Sequence, residues 1–312
     1  MILIGVDIGG TKIAGAVVRV ADAASVLVRQ TSPTPRTGPD AVLGCAVQMV
    51  ATLRAAASAD VLAIGIGAPG IIDTRTGRVT AASQILAGWA GTAVREPIQD
   101  ATGLPVFVDN DVRAMARAEA RFGAGRDLDR CLYVSLGTGV GGAIGVRETS
   151  GRHRILQGTR GTAGEIAHLV TPVPGAVACG CGQYQHLEAI VSGPAISAEY
   201  ARRTGLHAHL PEIACRLADG DDIACAVVTG AGAIAGSVLA GVVCAFDLDG
   251  VVLAGGALNV GVPLSESIAE SLRANIWPRG CDVAIRCAAM GGDAPVIGAA
   301  LVAHDALQAK SS

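Results

Sequence analysis

Four side chains of the kinds that bind soft metals fall close together in the sequence: His168, Cys179, Cys181 and His186. Two thiolates and two imidazoles are the number and type of ligand that tetrahedral zinc takes, and a C-x-C pair is too strained to close on itself as a disulfide. The alternative is two buried cysteines beside surface histidines. In "GTAGEIAHLV", Glu165 precedes His168 by three residues, which puts both on one face if the segment is helical. His207 and His209 have no further ligand close by and read as surface or core histidines. A second chemistry is suggested by glycine-rich turns. In "DIGGTK", Asp7 ends an apolar run, Gly9 and Gly10 permit positive φ and close backbone approach, and Thr11 and Lys12 add a hydroxyl and a cation. Successive amides in such a turn make an anion-binding concavity, although the turn alone also suits an ordinary Gly-Gly hairpin. It is not the Walker pattern, because the turn leads into a strand. "LGTGVGG", with Thr138 between Gly137 and Gly139, moves the reading toward phosphate. "LAGGAL" sets Gly255 and Gly256 after a strand and before a helix, where N-terminal amides can meet a nucleotide. A third chemistry lies in "PVFVDNDVRAMARAEARFG", where Asp109, Asn110 and Asp111 join a strand to a helix. Asp111 falls at the cap or first turn, where the helix dipole favours its ionised form. There it caps the helix, takes a proton from an alcohol nucleophile, or does both.

Elements must hold these groups. Apolar runs bounded by Gly, Asp or Pro predict strands at 2–7, 12–20, 61–67, 105–108, 131–136, 140–147 and 251–254. Apolar residues at helical spacing predict helices at 41–59, 112–123 and 263–276. Strands alternating with helices make an α/β architecture. A weak internal repeat organises it. "LIGVDIGGTKIAGAVV" (3–18) and "LYVSLGTGVGGAIGV" (132–146) both run strand, small-residue turn, strand, and their turns are separated by about one domain length. Two similar domains presenting such turns across a cleft suit a phosphate-rich ligand.

Composition narrows the function. The 312 residues carry 24 basic and 27 acidic side chains, a net charge of −3. No Lys or Arg run is interleaved with aromatics, which argues against nucleic acid as a partner. The chain opens on a strand with no basic region or cleavage site, which predicts a cytoplasmic protein. Of nine cysteines, Cys45, Cys131, Cys215, Cys225, Cys244 and Cys287 read as small buried hydrophobes in a reducing compartment. Residues 224–246 are uncharged and long enough to cross a bilayer. Their Ala, Gly, Ser and Thr content, the flanking Asp222 and Asp247 and the strand that comes after them predict instead a helix buried on several sides, and no membrane.

Seven motifs in order, "DIGGTK", "GIGAPGIID" (65–73), "VDNDVRA" (108–114), "LGTGVGG", "GEIAH", "CGCG…LE" and "VVLAGG", run nearly end to end. On these the chain resembles the sugar kinases of the ROK family, within the actin-like ATPase superfamily. The resemblance implies two actin-like (ribonuclease H-like) α/β domains flanking a central cleft. The first would hold 1–117 plus about 295–312, because the last helix returns to it, and the second 118–294 with the zinc loop. It implies transfer of the γ-phosphate of ATP to the 6-hydroxyl of a hexose or aminohexose, with magnesium and a structural zinc, by a homodimer. Asp111 would be the base. Gly70, Asn110, Glu165, His168 and Glu188 would bind the sugar with it. Asp7, Gly10, Thr11 and Lys12 would form the first phosphate loop, Asp7 near the magnesium; Gly137, Thr138 and Gly139 would form the second, with Gly255 and Gly256 on the nucleotide side.

Two departures from the family pattern stand out. The zinc loop commonly reads C-G-C-G-x-x-G-C-x-E, whereas here Gln185 and His186 replace the last Gly and Cys. Before Trp89, glucokinase-like members read N-L-x-G-W, whereas this chain has Ile85 in place of the Asn that bonds a sugar hydroxyl. A lost polar partner discriminates between substrates, so an amino sugar such as glucosamine, N-acetylmannosamine or kanosamine is expected beside glucose, unless Ser83 or Gln84 supplies the contact. The competing reading is a non-catalytic, sugar-sensing repressor. Such members carry a helix-turn-helix ahead of the core, and no residues precede the first strand here.

Overall fold

The structure is a computed structural model that describes residues 1–83 and 86–311. In chain order its elements are β1 (Ile2–Ile8), β2 (Lys12–Val20), β3 (Ala24–Pro33), α1 (Pro39–Ala56), β4 (Ile64–Ala68), β5 (Ile71–Asp73), β6 (Arg78–Ala81), α2 (Arg95–Thr102), β7 (Val106–Asn110) and α3 (Asp111–Phe122). Next are β8 (Arg130–Leu136), β9 (Val140–Arg147), β10 (His153–Ile155), α4 (Glu188–Val191), α5 (Gly193–Thr204), α6 (Leu210–Ala218) and α7 (Asp222–Phe246). Last come β11 (Gly250–Ala254), α8 (Val262–Asn275), β12 (Ala284–Cys287) and α9 (Ala294–Ser311), with 3-10 turns at Ile166–His168 and Gly256–Val260.

Two sheets share one plan. Their orders are β3-β2-β1-β4-β7 and β10-β9-β8-β11-β12. In the first, β1 runs antiparallel to β2 and parallel to β4, and β4 runs parallel to β7. In the second, β11 runs parallel to both β8 and β12. The repeat visible at 3–18 and 132–146 is therefore the leading hairpin of a repeated sheet.

The chain divides into two compact units, one of 1–127, 144–163 and 289–312, the other of 128–143 and 164–288. The boundary drawn from the sequence at 117/118 falls inside α3. Glu119 explains why the helix does not divide there. Fully buried, it accepts hydrogen bonds from the amides of Ala124 (2.8 Å), Ala289 (3.1 Å) and Met290 (2.8 Å), which ties the end of α3 to the segment entering α9.

In the first unit both faces of the sheet are covered, so β1, β2 and β4 read as near-continuous apolar runs, unlike the edge strand β3. Met49 and Leu53 of α1 press on Gly15 of β2. On the other face α9 lies directly on the backbone: a Cβ at Gly5 or Gly65 would overlap the carbonyls of Val296 and Ala299, and one at Gly298 would overlap Ala114 of α3. Small residues at these crossings set the depth at which α9 sits.

In the second unit α7 packs along α8. Gly232 lies against Leu264 and Ser267, and Ser267 and Ser271 donate to the carbonyls of Thr229 (2.7 Å) and Ala233 (2.6 Å). By length and composition α7 could cross a bilayer. It is buried along one stripe from Ala224 to Val243, not on several sides as the sequence suggested. The cysteine expectation is also corrected. All nine are free; of the six expected to be buried, Cys131 is buried, Cys45 half-buried and Cys215, Cys225, Cys244 and Cys287 exposed. Cys225 and Cys244 fall outside the buried stripe of α7.

Candidate functional site

The β1–β2 turn of the first unit closes with a hydrogen bond from the Gly9 amide to the Lys12 carbonyl (3.0 Å). A Cβ on Gly9 would come within 2.9 Å of that carbonyl, so glycine is needed there for space and not for the positive φ expected from the sequence. Thr34, which no motif marked, grips the turn from the end of β3. Its Oγ1 donates to the Gly9 carbonyl (2.6 Å) and its amide to the Thr11 carbonyl (3.1 Å). Asp7 sits at the end of β1 facing Gly67 of β4, and a Cβ on Gly67 would lie 3.2 Å from the Asp111 Cα and 3.5 Å from the Asp7 Oδ1. The bare Gly67 thus leaves room for two carboxylates to converge. Nothing in its apolar surroundings in the sequence signalled that role.

Asn110 caps α3, accepting from the Arg113 amide (3.0 Å) and donating to the Gly70 carbonyl (3.1 Å). Gly70 has φ +95° and a Cβ there would overlap the Ala81 carbonyl, so this turn requires glycine. The buried Trp89 holds the same turn, donating to the Pro69 carbonyl (3.1 Å). Asp111 is the first helical residue, its Oδ1 accepting from the Val112 amide (2.9 Å). Behind it Asp109, fully buried, meets Arg113 Nε and Arg117 Nη2, each at 2.7 Å. Burial opposes its charge, but the two guanidinium groups hold its carboxyl below the ordinary range. Gln84 and Ile85, which carry the substrate expectation, lie outside the described residues.

Asp7 and Asp111 behave in the opposite way. Burial first, and then the nearby Asp111, push the Asp7 carboxyl up to about 7 against the pull of Lys12. Burial also raises Asp111, outweighing the Val112 amide and the helix end that were expected to favour its charge. A carboxyl whose pKa is raised in the folded state stabilises the fold fully only below its unfolded value, and that contribution is lost as pH rises through the folded value. Without a divalent cation, the gain in melting temperature of Asp7→Asn over the parent is therefore expected to be small near pH 4 and to grow up to and beyond pH 7. Thermal melts across that range check it.

In the second unit the Gly137 amide donates to the Gly139 carbonyl (2.9 Å), closing the second glycine turn around Thr138. Three elements meet it. The N-terminus of α5 arrives with the Gly193 amide 2.8 Å from the Gly137 carbonyl, and Glu188 Oε2 accepts from the Val140 amide (3.0 Å). Gly255, at φ +101°, stacks so closely on Leu136 that a Cβ would overlap its backbone, which brings Gly256 and the turn it begins alongside. No motif marked Ser192 or Gly193, yet they start a 12-residue helix at this turn.

The four metal-type residues converge. One ligand atom from each of His168, Cys179, Cys181 and His186 lies within 4.8 Å of the others. The two histidine Nδ1 atoms are 3.3 Å apart, and Cys181 Sγ is 3.2 Å from His186 Nδ1. Ligands bonded tetrahedrally to zinc stand roughly 3.3–3.8 Å apart, so this donor set fits that ion. Burial and the neighbouring His186 lower the His168 pKa, which favours the neutral ligand form. Glu165 is half-buried at the start of the 3-10 turn that carries His168.

Gln185 occupies left-handed backbone, φ +60°, where a side chain is disfavoured. Its Nε2 compensates by donating to the Val173 carbonyl (2.5 Å). Gln185→Ala, which keeps the strained backbone and loses this bond, is expected to cost about 1 kcal/mol. Gln185→Gly loses the bond but relieves the strain, and is expected to be near neutral in the same denaturation assay.

A repeated sheet with a glycine turn in each leading hairpin defines a protein of the actin-like ATPase fold. Among solved structures, a ROK family glucokinase from Streptomyces griseus, in complex with glucose and AMPPNP, has a TM-score of 0.85 at 30% identity, covering 98% of this chain and 100% of that one. A glucokinase of Halalkalibacterium halodurans is 30% identical over 314 residues, 95% of this chain and 92% of the relative. An N-acetylmannosamine kinase of Yersinia pseudotuberculosis is 32% identical over 309 residues, 97% and 99% respectively. The ROK family model matches residues 3–306, and the chain belongs to the ROK family.

Proposed function

We propose that this protein is an ATP-dependent sugar kinase, transferring the γ-phosphate of ATP to the 6-hydroxyl of a hexose or aminohexose with Asp111 as general base. The observation that carries it is the half-buried Asp111 at the head of α3, one carboxylate oxygen engaged by the Val112 amide, beside Asp7 and the first glycine turn. With Oδ1 so held, Oδ2 takes the proton of the sugar hydroxyl, whose oxygen attacks the γ-phosphorus as ADP leaves. The raised pKa of Asp111, set by burial, makes it a stronger base than an ordinary carboxylate. Activity is expected to fall on the acid side with an inflection above the ordinary carboxylate range, as a kcat/KM profile against pH would show.

Gly70, Asn110, Glu165, His168 and Glu188 bind the sugar. Asp7, Gly10, Thr11, Lys12, Gly137, Thr138, Gly139, Gly255 and Gly256 receive the nucleotide phosphates, where loop amides and Lys12 neutralise charge. Asp7, an acid with the cation of Lys12 nearby, offers a hard oxygen ligand suited to magnesium, which when bound shields the charge of the phosphates. His168, Cys179, Cys181 and His186 would hold zinc, whose role is to fix the loop. With Nδ1 of His168 in that cluster, its Nε2 is left for a sugar hydroxyl. Elemental analysis of protein purified without chelator is expected to give about one zinc per chain.

Glucose, glucosamine, N-acetylmannosamine and kanosamine are the substrate candidates, since relatives named for glucose and for N-acetylmannosamine are similarly distant. A coupled ADP-release screen over these sugars and mannose decides among them, and no turnover with any hexose would overturn the kinase. Specific operator binding by the purified protein would favour the repressor instead. The cytoplasmic location and homodimer expected from the sequence go with this proposal, and a light-scattering mass of a single chain would remove the dimer.

A further inference from the structure

The C-terminal half of α3 opens onto a cavity that phosphoryl transfer leaves unused. It measures about 450 Å³ and is lined by Arg117 and Arg121 of α3, Arg126 beyond it, Arg152 before β10, and His304 and Asp305 of α9. All lie in the first compact unit.

Charge in this cavity is out of balance. Arg117 Nε, Arg121 Nη1 and Arg152 Nη2 crowd around the single carboxylate of Asp305 at 3.8, 4.0 and 3.9 Å, too long for hydrogen bonds. Arg117 also pairs with Asp109, which Arg113 already shares. Four guanidinium groups, Arg126 included, therefore line the cavity with the one carboxylate of Asp305, on a chain whose net charge is −3. Like charges gathered in a concave, partly buried space repel one another and focus a positive potential into it. Planar guanidinium forks match the paired oxygens of carboxylate and phosphate groups alike, and with several of them around one carboxylate the more highly charged phosphate monoester is the better complement. The volume falls in the range of roughly 300–1,000 Å³ that encloses a whole small molecule, which suits an ester more than bare phosphate.

We propose that this basic cavity is a second ligand site, for a small metabolite carrying a phosphate monoester. It stands apart from the reaction centre: Arg121 lies ten positions beyond Asp111 on one helix, about 15 Å along its axis. Arg117 connects the two through Asp109, so an occupied cavity competes for the guanidinium that steadies the Asn110–Asp111 corner.

Isothermal titration of the full chain with glucose 6-phosphate and with inorganic phosphate tests this site, comparing the parent with Lys12→Ala and with the double variant Arg121→Glu/Arg152→Glu. Saturable binding of the ester in the parent is expected, tighter than that of inorganic phosphate and unchanged in Lys12→Ala. At least a tenfold loss is expected in the charge-reversed double variant, whose turnover at saturating substrates stays at the parent value. Unchanged affinity in that variant, a loss confined to Lys12→Ala, or no saturable binding would each overturn the site. Should the double variant melt early, Arg121→Gln replaces it, with a smaller loss in the same direction expected and unchanged affinity again overturning the site.

Discussion

Asp111→Asn is expected to lower kcat by about 10³-fold, within the range that general-base catalysis contributes, while sugar affinity stays within about threefold of the parent. Asparagine has the same shape, and its carbonyl oxygen can still accept from the Val112 amide that now meets Asp111 Oδ1 at 2.9 Å. What disappears is the oxygen proposed to take up the proton. The same change removes the negative charge that adds to burial in pushing the Asp7 carboxyl up to about 7. The fold is then expected to gain on the order of 1 kcal/mol above neutral pH, each tenfold change in proton affinity being worth about 1.4 kcal/mol. Turnover and stability thus move in opposite directions. Single-turnover kinetics with a parallel thermal melt separate the two: near-parent turnover removes Asp111 as base, and a lower melting temperature removes the repulsion between the two acids.

Arg113→Met is expected to cost about 3 kcal/mol of stability, the low end of the range for a buried ion pair that loses one partner. Asp109 is fully buried and would keep Arg117, the Asn110 amide and the more distant Gln157 Nε2 (3.4 Å), and Arg113 Nη1 would no longer reach the Gly161 carbonyl, now 2.7 Å away. The loss falls short of the full penalty because Arg117 remains at 2.7 Å. Arg113 also helps to hold the Asp111 carboxyl down against burial, so its removal is expected to shift the acid limb of the pH profile upward. Adding Asp109→Asn should recover part of the stability, because the stranded charge is then gone. Denaturant titrations of the two variants check this, and a single-variant loss below about 1 kcal/mol would mean that the charge is relieved another way.

Much of the chemistry was legible because it is local. Short motifs fix the two glycine turns, the Asp109–Asn110–Asp111 corner and the C-x-C loop, and the covered strands of each sheet announce themselves as apolar runs. Other features depend on partners that arrive from elsewhere in the chain. β3 buries no residue fully and breaks its alternation at Val26–Val28, and α2, "REPIQDAT", buries only Ile98, so neither gives a strong period. Thr34 looks like any threonine until β3 delivers it to the Gly9 carbonyl. Gly67 matters only because Asp7 and Asp111 converge on it. On α7 the residues are so uniformly small and apolar that composition could not say which side α8 would cover, and the assignments of Cys225 and Cys244 failed for the same reason.

The seating of α9 on bare glycines has a consequence in time. The strands that carry Gly5 and Gly65 leave the ribosome more than 200 residues ahead of Ala294. At about 5–20 residues per second, that leaves an apolar sheet face without its cover for roughly 10 seconds or longer. Side chains bulky enough to shield the face in the interval are the ones the helix cannot tolerate on arrival. The emerging chain therefore passes through a stage in which one face of its first sheet is open to wrong partners, and chaperones would be needed most at that stage.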